Sequence, residues 1–138
     1  MEFENLQNIL YEKNQFIRYN HIRPVEADLE HAVMVHEISE TSLNPYNIVH
    51  GGVYFSMQDV AAGTLARMDG RRYVTLDSSN HFLKAATGGT LTATASVVHR
   101  GRTVCTIRTE VRDDKGALLS DGTFSMFCLE PEKPMDRD

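Results

Sequence analysis

Cysteine is scarce in this chain of 138 residues: there are two, Cys105 and Cys128, with no metal-ligand spacing. Both fall in strand-like segments, so they read as buried core thiols in a reducing compartment. No apolar run reaches the roughly 18 residues that a membrane span requires. Met1-Glu2-Phe3-Glu4-Asn5 carries acid where a secretory leader would build an apolar core, so the chain is expected in the cytoplasm. Positive charge is not in excess either. The formal net charge is -5, with acid and base scattered, which argues against a general nucleic-acid surface and leaves only a local basic pocket open. There is no Gly-x-Ser-x-Gly elbow, no dinucleotide glycine motif and no His/Cys cluster, so no cofactor or metal is called for. With 41% hydrophobic and 24% charged residues, the composition is that of one ordinary globular domain.

The most informative segment is His50-Gly51-Gly52 and the nearly unbroken apolar stretch from Val53 to Met68, with one carboxylate, Asp59, in its middle. Val53, Met57, Val60, Ala61 and Met68 recur at helical spacing, while Tyr54, Phe55, Ala62 and Leu65 fill the other faces. A helix apolar nearly all round is a buried one. A carboxylate there loses hydration, a cost that a working site would explain. Asp69-Gly70 ends the helix, Gly being the usual left-handed cap.

Around this helix the pattern changes. Leu6, Ile9, Leu10 and Phe16 mark a short amphipathic helix over residues 3–16, expected to lie on the outside. Residues 30–39 read as a first strand, followed by a loop containing Asn44-Pro45-Tyr46-Asn47. After the helix the period becomes 2, with strands at 72–84, 90–99, 102–113 and 117–129. Leu91, Ala93, Ala95 and Val97 alternate with Thr92, Thr94, Ser96 and Val98. The intervening Thr87-Gly88-Gly89, Arg100-Gly101-Arg102 and Asp113-Asp114-Lys115-Gly116 are short enough for hairpin turns, implying an antiparallel sheet that covers the helix. The tail from Glu130 to Asp138 is polar and expected to fray.

Strand, long buried helix, then four strands is the layout of the hotdog fold, an α+β architecture in which an antiparallel sheet wraps one central helix. Asn44-x-x-Asn47-x-x-His50-Gly51-Gly52, with Asp59 nine residues after the His, resembles the signature of the PaaI-type acyl-CoA thioesterases of that superfamily. The resemblance spans residues 28–129; residues 1–27 are a lead-in and 130–138 a tail to a single hotdog domain. Where that family usually has Gly, this chain has Asn47, the residue that best tolerates positive φ. The resemblance implies hydrolysis of an acyl or aryl-acyl CoA thioester, with sites at a homodimer interface and dimers often assembled into homotetramers.

Thioester hydrolysis needs a water, a group to activate it and donors for the developing oxyanion. Asp59 supplies the carboxylate, as general base or as nucleophile. The N–H of Gly51 is an orphan at the start of the helix, backed by its dipole. Gly51 and Asp59 are eight residues apart, about 12 Å along one helix. One copy of the helix cannot bring both to a single thioester carbon, so if both act the site is shared, Asp59 of one chain meeting Gly51 of another. The resemblance carries the holding of the attacking water or thioester to Asn44. Thr75, on a polar strand face with Tyr73, Asp77 and Ser79, is a candidate to bond the water beside Asp59, and Thr64 a weaker one. His50 either contacts substrate or caps the helix, with Gly52 beside it at the substrate. Phe55, Met57, Phe82 and Met68 are candidates for an acyl pocket, and Lys84, Arg100 and Arg102 for the CoA phosphates. Bland alternatives stand beside these: Asp59 paired with Arg67, Gly51-Gly52 as a tight helix entry, Asn44 as a turn cap, Thr75 as an ordinary strand residue, and basic residues as solvated strand ends. Rival activities are a hydratase or dehydratase of the same fold and a non-catalytic acyl-CoA binding module.

Overall fold

The computed structural model describes residues 1–137. Helices α1 (Phe3–Lys13) and α2 (Gln15–Tyr19) precede strands β1 (Arg23–Ala27) and β2 (His31–Glu37). After a 3-10 turn at Glu40–Ser42 comes α3 (Gly51–Arg67), then β3 (Tyr73–Phe82), β4 (Thr90–Arg100), β5 (Val104–Arg112) and β6 (Leu118–Cys128). All strand pairs are antiparallel in one sheet of order β1-β2-β4-β5-β6-β3, wrapped on α3. This is the expected hotdog arrangement.

The core forms where α3 meets the sheet. Met57, Ala61, Ala62, Leu65 and Ala66 of α3 are fully buried against Met34, Leu91, Ile107, Leu119 and Phe124. Alanines also line the facing strands, at Ala32, Ala93 and Ala95, which lets the helix sit close to the sheet. One polar tie crosses this apolar layer. The Gln58 amide donates to Thr109 Oγ1 at 3.2 Å, and Ser120 Oγ donates to Gln58 Oε1 at 3.2 Å. Buried polar atoms are tolerated when paired in this way.

Both ends of α3 are capped. His50 is its N-cap, and Gly70, at φ +84, donates its N–H to Arg67 O at 2.9 Å. A left-handed conformation there favours glycine. Just beyond, Asp69 is fully buried and accepts from Arg71 Nη2 at 3.2 Å, Tyr73 Oη at 2.6 Å and Arg100 Nη1 at 2.9 Å. Burial pushes the Tyr73 phenol above its usual range, and its hydrogen bond to Asp69 adds to the effect.

Several expectations need correction. β1 is an additional strand ahead of the predicted first one; Pro24 and a bulge between Pro24 and Glu26 disguise it, features that an edge strand tolerates. Thr87-Gly88-Gly89 is not a hairpin turn, because β3 pairs with β6 at the far edge and β4 with β2. The tail through Arg137 does not fray: Asp136 N–H donates to Asp69 O at 2.7 Å, and Glu130 pairs with Arg72 at 2.8 Å. Asp138 lies outside the described residues. The amphipathic N-terminal segment divides into α1 and α2 and is more than an outer layer, since α1 also roofs a cavity over the flank of α3. Among the described residues, no helix is long and apolar enough to cross a membrane.

Candidate functional site

Asp59 is half-buried on α3, with its carboxylate directed at the start of β3, and Thr75 Oγ1 donates to Asp59 Oδ1 at 2.5 Å. The Thr75 hydroxyl also lies 3.6 Å from Met126 Sδ. A β-bulge between Thr75 and Asp77 re-aims the strand at this point. It also breaks the alternation expected to set Asp77 and Ser79 on the face of Thr75; beyond it the half-buried positions are Ser78 and Asn80.

Asp59 and Thr75 open into a cavity of about 590 Å³ roofed by α1, with Leu6 and Leu10 among its lining. Thr64 and Arg67 face it from the same side of α3. No sealed ion pair closes off Asp59: Arg67 Nη2 donates instead to Tyr73 O at 2.9 Å. Desolvation pulls the Arg67 guanidinium below its ordinary value, opposed by the charge of Asp59. Met57 and Met68, expected in the acyl pocket, are buried in the core instead, and Phe55 and Phe82 lie elsewhere on the surface. The α1 wall was missed because an amphipathic helix signals only that one face is covered, not by what.

The other half of the motif stands at the opposite end of α3. His50 Nδ1 accepts from the Gly52 N–H at 2.8 Å, so the histidine caps the helix. The Gly51 N–H, first in the helix, has no intrahelical acceptor. The ring of Phe82 lies 3.7 Å from where a Gly51 side chain would begin, and stacks on Tyr54 at 6.5 Å. Asn44 Oδ1 accepts from the N–H groups of Tyr46 and Ile48 at 2.9 and 3.4 Å, bracing the loop, and Asn47 adopts φ +61, as the sequence requires. A buried relay that sequence reasoning missed fixes this loop to the sheet. Ser42 O accepts from the His50 N–H at 2.8 Å, and Ser42 Oγ bonds His36 Nε2 at 2.7 Å. His36 Nδ1 meets His21 O at 3.1 Å, so Nδ1 carries the proton and Ser42 donates to Nε2.

Among the proposed phosphate ligands, Lys84 and Arg102 are exposed. Arg100 is turned inward, a correction to its expected role: its guanidinium donates to Ala66 O at 2.8 Å, Leu65 O at 3.0 Å and Asp69. Carbonyls at a helix C-terminus attract a cation, which explains the placement. Phe55 packs on Phe124 with ring centroids 5.7 Å apart. Both cysteines are free and buried. Among the described residues, no group of three or more His, Cys, Asp or Glu converges to hold a metal.

A helix sheathed by an antiparallel sheet is the hotdog fold, and here an acid and a hydroxyl stand at a cavity in the flank of that helix. A sequence profile of the thioesterase superfamily matches residues 46–120, and the chain belongs to that superfamily. The fold is similar to that of the E. coli PaaI protein, with a TM-score of 0.87 and 21% identity over 98% of this chain and 96% of that one. A Streptococcus mutans protein solved with acetyl-CoA bound is 29% identical, with a TM-score of 0.75 over 84% of this chain and 91% of its own. A Streptococcus pneumoniae protein described as a hypothetical thioesterase is 30% identical, with a TM-score of 0.75 over 78% and 90%.

Proposed function

We propose that this protein hydrolyses an acyl or aryl-acyl CoA thioester to the free acid and CoA, in a site that two subunits share. The observation that carries this reading is the hydrogen bond from Thr75 to Asp59 at the mouth of a cavity. It holds one carboxylate oxygen and leaves the other for water or the thioester carbon. In the general-base route, water adds to the carbonyl carbon as Asp59 takes its proton, and the collapsing intermediate expels the CoA thiolate, which recovers that proton. In the nucleophilic route Asp59 itself displaces the thiolate, and water then cleaves the mixed anhydride. Two relatives support the assignment. The Streptococcus pneumoniae protein was solved as separate Ala variants of an Asp and a Thr sixteen positions apart, the separation of Asp59 and Thr75. The acetyl-CoA complex of the Streptococcus mutans relative supports a CoA thioester as substrate.

The geometry of β3 supports sharing. This edge strand is ten residues long, hydrogen-bonded on one side only, and carries Leu76 at 59% and Phe82 at 55% exposure. Such an edge is a template for pairing with another copy. Thr75 stands by Asp59 and Phe82 by Gly51 within one chain. A two-fold axis between Ser78 and Ser79 would set Thr75 of one chain opposite Phe82 of the other, bringing Asp59 to the partner's free Gly51 N–H. That amide then receives the oxyanion, with His50 and Gly52 shaping the turn. Asn44, whose Nδ2 is not needed in its loop, and Phe55 and Phe82 border the substrate; Lys84 and Arg102 meet the CoA phosphates.

Mixed dimers test this. Gly51→Pro deletes the N–H and adds a ring whose first carbon would meet the Phe82 side chain at an ordinary 3.7 Å; proline is favoured at this helix position, and His50 at ψ 135 already satisfies the pre-proline restriction. Asp59→Asn and Gly51→Pro proteins should each be nearly inactive, and after subunit exchange should recover about one quarter of wild-type turnover, since half the dimers hold one intact site. No recovery in exchanged dimers rejects sharing. An active Asp59→Asn protein rejects the carboxylate.

A further inference from the structure

Arg67 is a cation in search of a partner. It lines the cavity eight residues beyond Asp59, yet its side chain does not follow the helix toward its C-terminus. A side chain added at Gly63 would begin 2.7 Å from Arg67 Nη1, so the guanidinium folds back over Gly63, one helical turn from Asp59. Only a glycine leaves room for it there. Its one described hydrogen bond is from Nη2 to the Tyr73 carbonyl at 2.9 Å, and among the described residues no carboxylate lies within ion-pair distance. A guanidinium is built to bind a carboxylate through two parallel N–H bonds, and a half-buried one facing a cavity without such a partner is costly.

The charge of the cavity suits a carboxylate. Its charged lining is Asp59, Arg67 and, at the rim, Lys13, so with Asp59 ionised it holds a net positive charge. Between the acid and the guanidinium run Val60, Gly63 and the apolar residues of α1, Leu6 and Leu10 among them. The span from Asp59 to Gly63 is about 6 Å along the helix axis. From this we infer that the cavity takes a short acyl group carrying a second carboxylate at its far end, which Arg67 grips while the thioester carbon sits at Asp59. The inference rests on the thioesterase reading above and adds the substrate class: CoA thioesters of short dicarboxylic acids.

The test compares adipoyl-CoA with hexanoyl-CoA, six-carbon substrates that differ in the distal carboxylate. Wild-type kcat/KM should favour adipoyl-CoA at least tenfold. Arg67→Met should lower that ratio at least tenfold. So should Gly63→Ala, whose added carbon would meet only Arg67 Nη1 at 2.7 Å more closely than an ordinary contact, with Met126 Cε at 3.7 Å, so that the flexible guanidinium is what moves. A wild-type enzyme that is indifferent or prefers hexanoyl-CoA, or a ratio unchanged in both variants, overturns the assignment of Arg67 and leaves the thioesterase reading standing. If neither thioester is cleaved, calorimetric titration with adipate and hexanoate decides the point. Tighter binding of adipate that Arg67→Met weakens tenfold supports the site; equal binding of the two acids refutes it.

Discussion

Replacing Thr75 with Val is the sharpest probe of the site. Valine keeps the branched shape that suits a strand and the contact with Met126, and removes only the hydroxyl that donates to Asp59 Oδ1 at 2.5 Å. A hydrogen bond to a charged group contributes a net of about 1.5–3 kcal/mol. If that bond holds Asp59 at the attacking angle, its loss should lower kcat by about 10- to 150-fold, at 1.36 kcal/mol per factor of ten. The same net worth, about 1.5–3 kcal/mol, bounds the loss of unfolding free energy, and the exposure of Thr75 keeps that loss toward the low end. Thr75→Ser, which retains the hydroxyl, should recover most of the rate. The assay is thiol release from acyl-CoA with each variant, combined in a cycle with Asp59→Asn. Because Thr75 acts through Asp59, its replacement should cost nothing further once the carboxylate is gone. A Thr75→Val enzyme within twofold of wild type refutes the orienting role, and an equal loss in the Asp59→Asn background refutes the route through Asp59.

Two further outcomes follow from the frame around the site. Asp69→Asn should destabilise the fold by about 3–5 kcal/mol, because it leaves Arg71 and Arg100 without their counter-charge. Urea unfolding with an unchanged m-value measures this, and a loss below 1 kcal/mol would show that water replaces the pair. Asp28 accepts from the N–H groups of Glu30 and His31 at 2.8 and 2.7 Å in the β1–β2 turn, and those bonds, the one to Glu30 foremost, hold its carboxyl below the usual value of 3.8. A depressed carboxylate contributes stability that is present above its unfolded value and disappears as pH falls through the lower folded one. Asp28→Ala should therefore cost under about 1 kcal/mol at pH 7, and its difference from wild type should close below pH 3.8; a gap that persists in acid shows that the charge is not responsible.

Some of this molecule is legible directly from local chemistry. The turn at Asn47, the His50 cap and the Gly70 stop each satisfy a backbone demand within a few residues, so they delimit α3 through neighbours in the chain alone. The period-2 pattern of β4 matches its burial, with Leu91, Ala93 and Ala95 inward. Thr75 is recognisable as polar in a place that rewards apolar residues, but its alternation with Asp77 fails because a bulge adds one residue without any local signal. Arg100 has the look of a free cation at a turn; the open carbonyls at the end of α3 and buried Asp69 draw it inward.

The chain's own order of residues was enough to mark the long helix and the strands from β2 onward, though not β1 or the break between α1 and α2, and to show which acid is misplaced among apolar neighbours. Those properties depend on spacing within a few residues. Tertiary folding alone sent β3 past three strands to the far edge, laid α1 over the cavity beside Asp59, and folded Arg67 back across Gly63. Each of these is a choice among distant partners, settled by which surfaces can be buried together and which charges can be satisfied at once.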